Sequence, residues 1–276
     1  MIIQHNMTSA NTNRQLGITT GNLAKSSEKL SSGYRINRAG DDAAGLSISE
    51  KMRGQIRGLD QASQNAQDGI SMIQTAEGAL NEVHSIIQRV RELTVQAAND
   101  TNVSVDRGAI SKEITQLASE IDRIGGSTEF NTQKLLTSNK DYKFQVGANS
   151  GQNNITVAMK EVTSTVLGIN GVSGVISGSS ASSDDITAEI EKVNTALETV
   201  SGWRSDLGSV QNRLEHTIAN ADNTSENLQA SESRIRDVNM AKEMVKYSKD
   251  NILQQAAQSM LAQANQSTQG VLSLLR

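Results

Sequence analysis

The chain has no proline and no cysteine in its 276 residues. At an average usage of about 5%, roughly fourteen prolines would be expected. Proline removes a backbone donor and clashes with the preceding helical turn, so its absence leaves helices free to run long. It also removes X-Pro isomerisation, which takes tens of seconds and can limit refolding. Without cysteine there are no disulfides, thiolate nucleophiles or thiolate metal sites. Aromatic residues make up 2% and apolar residues 36% of the chain, against roughly 45–50% apolar in a globular domain. Such a chain can bury a thin seam better than a thick core. The net charge of −4 gives no basic footprint for nucleic acid or an anionic membrane. No run approaches the roughly 18 apolar residues of a membrane span. The opening MIIQHNMTSANTNRQ lacks the basic and apolar regions of a cleavable signal peptide, so any export is expected to use another route.

What is present is a three-four apolar rhythm. From Ile3 to Leu30 it is weak, with Leu16, Leu23 and Leu30 at heptad spacing and Gly33 as a stop. Residues 33–58 are polar and glycine-spiked, the composition of a joint. From Leu59 through Leu80, Val83, Ile87 and Val90 to Ala97 the stripe is continuous, predicting one helix closed at 99–102. Ile110, Ile114, Leu117, Ile121 and Ile124 predict a shorter helix over 107–124, with Asp106 as N-cap and Gly125-Gly126 as stop. A tight connection folds it back antiparallel on the first.

The middle, 125–183, is rich in Gly, Ser, Thr and Asn. YKFQVG (142–147) and NITVAM (154–159) predict a β-hairpin, and GINGVSGVISGSSASS (168–183) predicts turns and loop. Ser182 and Asp185 have capping-box spacing. Ile186, Ile190, Val193, Leu197 and their continuation to Ala221 then predict a helix over 184–222. The stripe thins near 220–227 and resumes with Ile235, Val238, Val245, Ile252 and Met260, ending in GVLSLLR with Leu272 and Leu275. The fold expected is mainly α: a long antiparallel helical bundle or coiled coil built from both chain ends, with a small central segment containing the hairpin. The helices 59–98, 107–124 and 184–222 bury their stripes on one another. The ends, 1–40 and 235–276, carry stripes with no partner of their own and are expected to order on self-association.

Two long stretches carry a family resemblance. KLSSGYRINRAGDDAAGLSISEKMRGQIRGLDQASQNAQDGISMIQTAEGALNEVHSIIQRVRELTVQAAN (29–99) resembles the N-terminal region of bacterial flagellins. LGSVQNRLEHTIANADNTSENLQASESRIRDVNMAKEMVKYSKDNILQQAAQSMLAQANQSTQGVLSLLR (207–276) resembles their C-terminal region. The chain departs from the family's habits at Ser267-Thr268, often a proline site, and at Asn239, often Asp. The resemblance implies a subunit that self-assembles into the flagellar filament for motility, exported unfolded through a narrow channel to the extracellular filament. It implies an inner terminal-helix domain (1–43 with 234–276) and a helical domain (44–233) whose segment 125–183 faces the filament surface, the large outer domains being missing. It implies an export chaperone docking on about 235–276, contacts with cap and junction proteins, and recognition by the animal Toll-like flagellin receptor at Arg89, Leu93 and Glu113. The rival readings are a hook–filament junction protein and a non-polymerising coiled-coil adaptor.

Nothing points to catalysis. His5, His84 and His216 are scattered, there is no HExxH, P-loop or nucleophile elbow, and Gly168, Gly171, Gly174 and Gly178 read as loop. No enzyme activity, cofactor, nucleic-acid partner or membrane partner is expected. The working residues are the assembly stripe: Leu16, Leu23, Leu30, Ile235, Val238, Val245, Ile252, Met260, Leu272 and Leu275.

Overall fold

The structure is a computed structural model that describes residues 6–149, 151, 153–177 and 183–274, with side chains to residue 267. The elements are α1 (Met7–Ser32), α2 (Ala43–Ala97), α3 (Ser104–Ser127), β1 (Glu129–Phe130), β2 (Gln133–Lys134), β3 (Lys140–Gln145), β4 (Asn154–Met159), α4 (Val172–Ser177), α5 (Ser183–Arg236) and α6 (Met240–Leu274). They form two compact units. One holds Met1–Gly54 with Glu226–Arg276, the other Gln55–Ser225.

The unit 55–225 is an antiparallel bundle of α2, α3 and α5. Along α2 a buried seam runs through Ala62, Ala66, Gly69, Ile73, Ala76, Leu80, Val83, Ile87, Val90, Thr94 and Ala97 in alternating steps of four and three, with Met72 and Leu93 buried beside it. That mean spacing of 3.5 residues is the period of a supercoiled seam. Cross-links show the antiparallel order: Ser225 meets Asp60, Arg204 meets Glu77, Arg91 meets Asn194, and the Ser183 hydroxyl donates to the Ala98 carbonyl.

The expected hairpin is present. β3 and β4 pair antiparallel with Tyr142 opposite Val157 and Phe144 opposite Ile155. Ile155, Val157 and Met159 are buried, and the residues between them are exposed, the alternation of a strand with one covered face. A second, smaller hairpin joins β1 to β2 through Asn131 and Thr132, both at positive φ (48° and 63°), as a two-residue hairpin turn demands.

Several expectations are corrected. The joint is only 33–42: α2 begins at Ala43, and the Gly45 N–H is capped by Asp42 Oδ1 at 2.8 Å. Glycines 54 and 58 lie inside the helix, and Gly58 is where Ala148 rests, 2.7 Å from where a Cβ would stand. Asp106 is not the N-cap of α3. It sits three residues in and accepts the Val103 N–H at 3.3 Å. Nor do Gly125 and Gly126 stop α3, which continues to Ser127; Gly125 is buried under the Val162 carbonyl, where no Cβ would fit. Within the stretch read as loop, Val172 and Ile176 are buried one turn apart, making α4 a helix on α3. The thinning at 220–227 interrupts the stripe but not α5, since backbone hydrogen bonds do not need apolar side chains. The break falls at 237–239 instead. The Ser182–Asp185 capping pair involves residue 182, outside the described residues.

In the terminal unit, α1 and α6 run antiparallel. Asn6 Nδ2 donates to the Ala264 carbonyl at 3.0 Å, and the Ser9 hydroxyl to Asn265 at 2.8 Å. The two helix breaks lie side by side. Gly33 ends α1 in the left-handed region (φ 77°), which glycine enters without a Cβ clash. Its carbonyl accepts the Val238 N–H at 2.9 Å, and the Arg35 N–H donates to the Arg236 carbonyl at 2.6 Å.

Candidate functional site

The face of α6 that covers α1 is mostly polar or small. It presents Glu243, Tyr247, Asp250, Gln254, Ala257, Leu261 and Ala264 at three-four spacing. The opposing face of α1 presents Ser9, Thr12, Leu16, Thr19, Leu23, Ser26 and Leu30. Leu16, Leu23 and Leu30 are thus half-buried within the chain itself. The C-terminal stripe behaves differently. Val245, Ile252 and Met260 are 71%, 66% and 58% exposed, and Met240, Met244 and Leu253 flank them in solvent. Ile235 and Val238 are half-buried at the break between α5 and α6. The side chains of Leu272 and Leu275 lie outside the described residues, as do those of Ile3 and His5.

The polar face is electrostatically tuned. Burial against α1 raises the Glu243 carboxyl's affinity for its proton, but the Ser26 hydroxyl and the Lys246 and Lys29 cations outweigh that and hold it below the ordinary glutamate range. Asp250, 7% exposed, leaves Oδ2 without a hydrogen-bond partner among the described residues. A seam of this kind gains little net stability, because each buried polar group exchanges water for an imperfect partner.

Sequence periodicity draws the first joint too long, to residue 58, and places the second break near 220–227, because neither break carries an apolar rhythm to mark its bounds. Arg236 Nη1 donates to Glu50 Oε1 at 2.6 Å. Its guanidinium lies 5.0 Å from the Tyr34 ring centroid, within cation–π range. A second arginine, Arg35, donates its guanidinium N–H to the Ile235 carbonyl. At the first break Gly33 was a local signal; at the second only the neighbouring charged residues were.

In the bundle, Arg89 Nη2 bonds Glu113 Oε1 at 2.9 Å and Nη1 bonds Glu92 at 3.1 Å. Glu113 first, then Glu92, makes the Arg89 guanidinium hold its proton more firmly. Leu93 stands apart from this exposed cluster: it is 2% exposed and belongs to the core. Of the three residues, only Arg89 and Glu113 can touch anything outside the bundle. Among the described residues no cluster of His, Cys, Asp or Glu could hold a metal ion, and no helix is long and apolar enough to cross a membrane.

Residues 3–141 match the family model of the bacterial flagellin N-terminal helical region, and residues 190–275 that of the C-terminal helical region. The chain belongs to the bacterial flagellin family. It is 56% identical to a flagellin of Halalkalibacterium halodurans, each chain covered fully. It is 48% identical to a flagellar filament 33 kDa core protein of Treponema phagedenis, again over the whole of both. A putative flagellar hook-associated protein from Vibrio parahaemolyticus shares the fold at a TM-score of 0.61 and 12% identity, covering 71% of this chain and all of that one. Both curated relatives align with this chain over the whole of their own length.

Proposed function

We infer that the chain is a structural subunit of the bacterial flagellar filament, polymerising with copies of itself outside the cell. One observation supports this beyond family membership. The chain's own α1 covers the polar face of α6 and leaves Val245 and Ile252 in solvent. Full burial of a Val or Ile is worth roughly 1.5–3 kcal/mol each. That gain is open only to contacts with another molecule, and a helical polymer supplies the required pairing of one patch with a different one. Residues 1–43 and 234–276 then form the inner layer, 44–233 the next, and 125–183 face outward.

The further partners follow the same surfaces. Within the tail 235–276, the helix α6 has an exposed apolar side suited to the groove of an export chaperone. Cap and junction proteins meet the same terminal helices at the filament's ends. Arg89 and Glu113 form the exposed polar contact available to a neighbouring subunit or to the animal Toll-like receptor.

Seeded elongation followed by electron microscopy tests the central reading. The native chain is expected to give long tubes. Short caps would favour a junction protein, and no polymer an adaptor. The double variant Val245→Asp, Ile252→Asp is expected to stay folded and fail to elongate.

A further inference from the structure

The methionines divide by exposure. Met72 and Met159 lie in the bundle core at 5% and 2% exposure and Met52 on α2 is half-buried, whereas Met7 on α1 is 75% exposed and Met240, Met244 and Met260 on α6 are 51%, 55% and 58% exposed. The last three share the exposed side of α6 with Val245, Ile252 and Leu253, so among the described residues half of the large apolar side chains that α6 presents to solvent are thioethers. The chain has no cysteine, so methionine is its only sulfur.

We propose that Met240, Met244 and Met260 form an oxidant-sensitive modification site that controls whether a free subunit can join the polymer. The proposal rests on the reading that the outer face of α6 is buried between copies. The oxidant is a hydroperoxide. The thioether sulfur attacks one peroxide oxygen, the O–O bond breaks as the S–O bond forms, and hydrogen peroxide departs as water. Sulfur loses two electrons, peroxide gains them, and the protein gains one oxygen and no proton. The product is a sulfoxide, polar where the thioether was apolar.

Three consequences follow from the geometry. A sulfoxide on this face must be desolvated, without a designed partner, when a neighbour covers it, which opposes addition. The bundle is spared, since Met72 and Met159 are buried, so the oxidised chain keeps its fold while losing assembly. In the polymer the same sulfurs are covered, so the polymer is protected and the sensitive species is the subunit before addition. Sulfoxide reduction by methionine sulfoxide reductases makes the change reversible.

The test uses the full chain and hydrogen peroxide, free and after polymerisation, with peptide mass mapping and seeded elongation. The free chain is expected to gain single oxygens at the exposed Met7 of α1 and at the three α6 sites Met240, Met244 and Met260, but not at Met72 or Met159. The same three sites should react about tenfold more slowly in the polymer, and the oxidised chain should elongate about tenfold more slowly. The triple variant Met240→Leu, Met244→Leu, Met260→Leu, which keeps the face apolar, should elongate equally with and without peroxide. Oxidised native chain elongating at the untreated rate would overturn the proposal, as would a triple variant that peroxide still inhibits. The double variant Val245→Asp, Ile252→Asp separates the two readings. If it elongates normally, the buried face is wrong. If it fails while oxidised native chain succeeds, only the methionine site is wrong.

Discussion

Arg236, the last residue of α5, and Glu50, near the start of α2, form a 2.6 Å ion pair in the terminal unit. Glu50 sits below the usual glutamate value of 4.5 chiefly because Arg236 donates to it, with desolvation opposing and Arg53 adding to the effect. A carboxyl whose folded pKa is depressed stabilises above its unfolded value and loses that contribution as pH falls through the folded one. The joint is therefore expected to be insensitive to pH near neutrality and to loosen in acid, below the ordinary glutamate range. Arg236→Gln should return the Glu50 titration toward 4.5, read by NMR of its carboxyl carbon. A titration that does not move would show that the pair is absent in solution.

Gly125 and Gly126 are neighbours in α3 with opposite tolerances. A Cβ at Gly125 would overlap the Val162 carbonyl, while one at Gly126 meets nothing within 4 Å. Gly125→Ala is expected to destabilise the bundle by about 1–3 kcal/mol, the range for an overpacked core. Gly126→Ala should stabilise it by about 0.5–1 kcal/mol through the helix interior. Urea unfolding midpoints of the two variants should move in opposite directions.

Leu93 and Arg89 are one helical turn apart but differ in environment. Leu93→Ala should cost about 2–5 kcal/mol, because it opens a cavity in the core. Arg89→Ala should leave the unfolding midpoint unchanged, its ion pairs being half in solvent. Any loss of receptor or subunit binding by Arg89→Ala then reports contact, whereas the same loss by Leu93→Ala reports folding. Binding measured beside thermal unfolding distinguishes them.

Glu189 occupies a seam position of α5 at 4% exposure. Lys192 meets one carboxylate oxygen at 2.7 Å, and the other has no hydrogen-bond partner among the described residues. Replacing such a pair with an apolar residue of similar volume is often neutral to stabilising, by up to about 1–4 kcal/mol. Glu189→Leu should therefore leave the thermal midpoint unchanged or raise it. A marked fall would show that the carboxylate has a partner in solution.

Much of this architecture was legible because it is periodic. Leu80, Val83, Ile87 and Val90 on α2, and Val193, Val200, Leu207 and Leu214 on α5, are core residues in the register their spacing predicts. The hairpin over 142–159 was equally plain from its alternation. The errors have a common cause: positions whose residue type is set by a distant neighbour. Gly69 rather than Ile70 lies on the seam because the Phe144 ring covers it, about as close as a Cβ would tolerate (3.2 Å). Glu189 rather than Ile190 takes the buried position on α5. Ala43 begins α2 sixteen residues before the apolar stripe becomes visible, since small residues make a helix without marking a face.

By itself the sequence determined that the helices are long, which segments carry apolar stripes, and which family the chain resembles. Those properties are local, set by the lack of proline and by side-chain order along each helix. Only the tertiary structure decided which face each stripe meets. It turned the polar side of α6 onto α1 and left Val245, Ile252 and three methionines outside. It also paired the breaks at Gly33 and Val238 through a main-chain hydrogen bond. Periodicity identifies a face but not its partner, and a hydrogen bond between distant parts of the chain leaves no local signature in either segment.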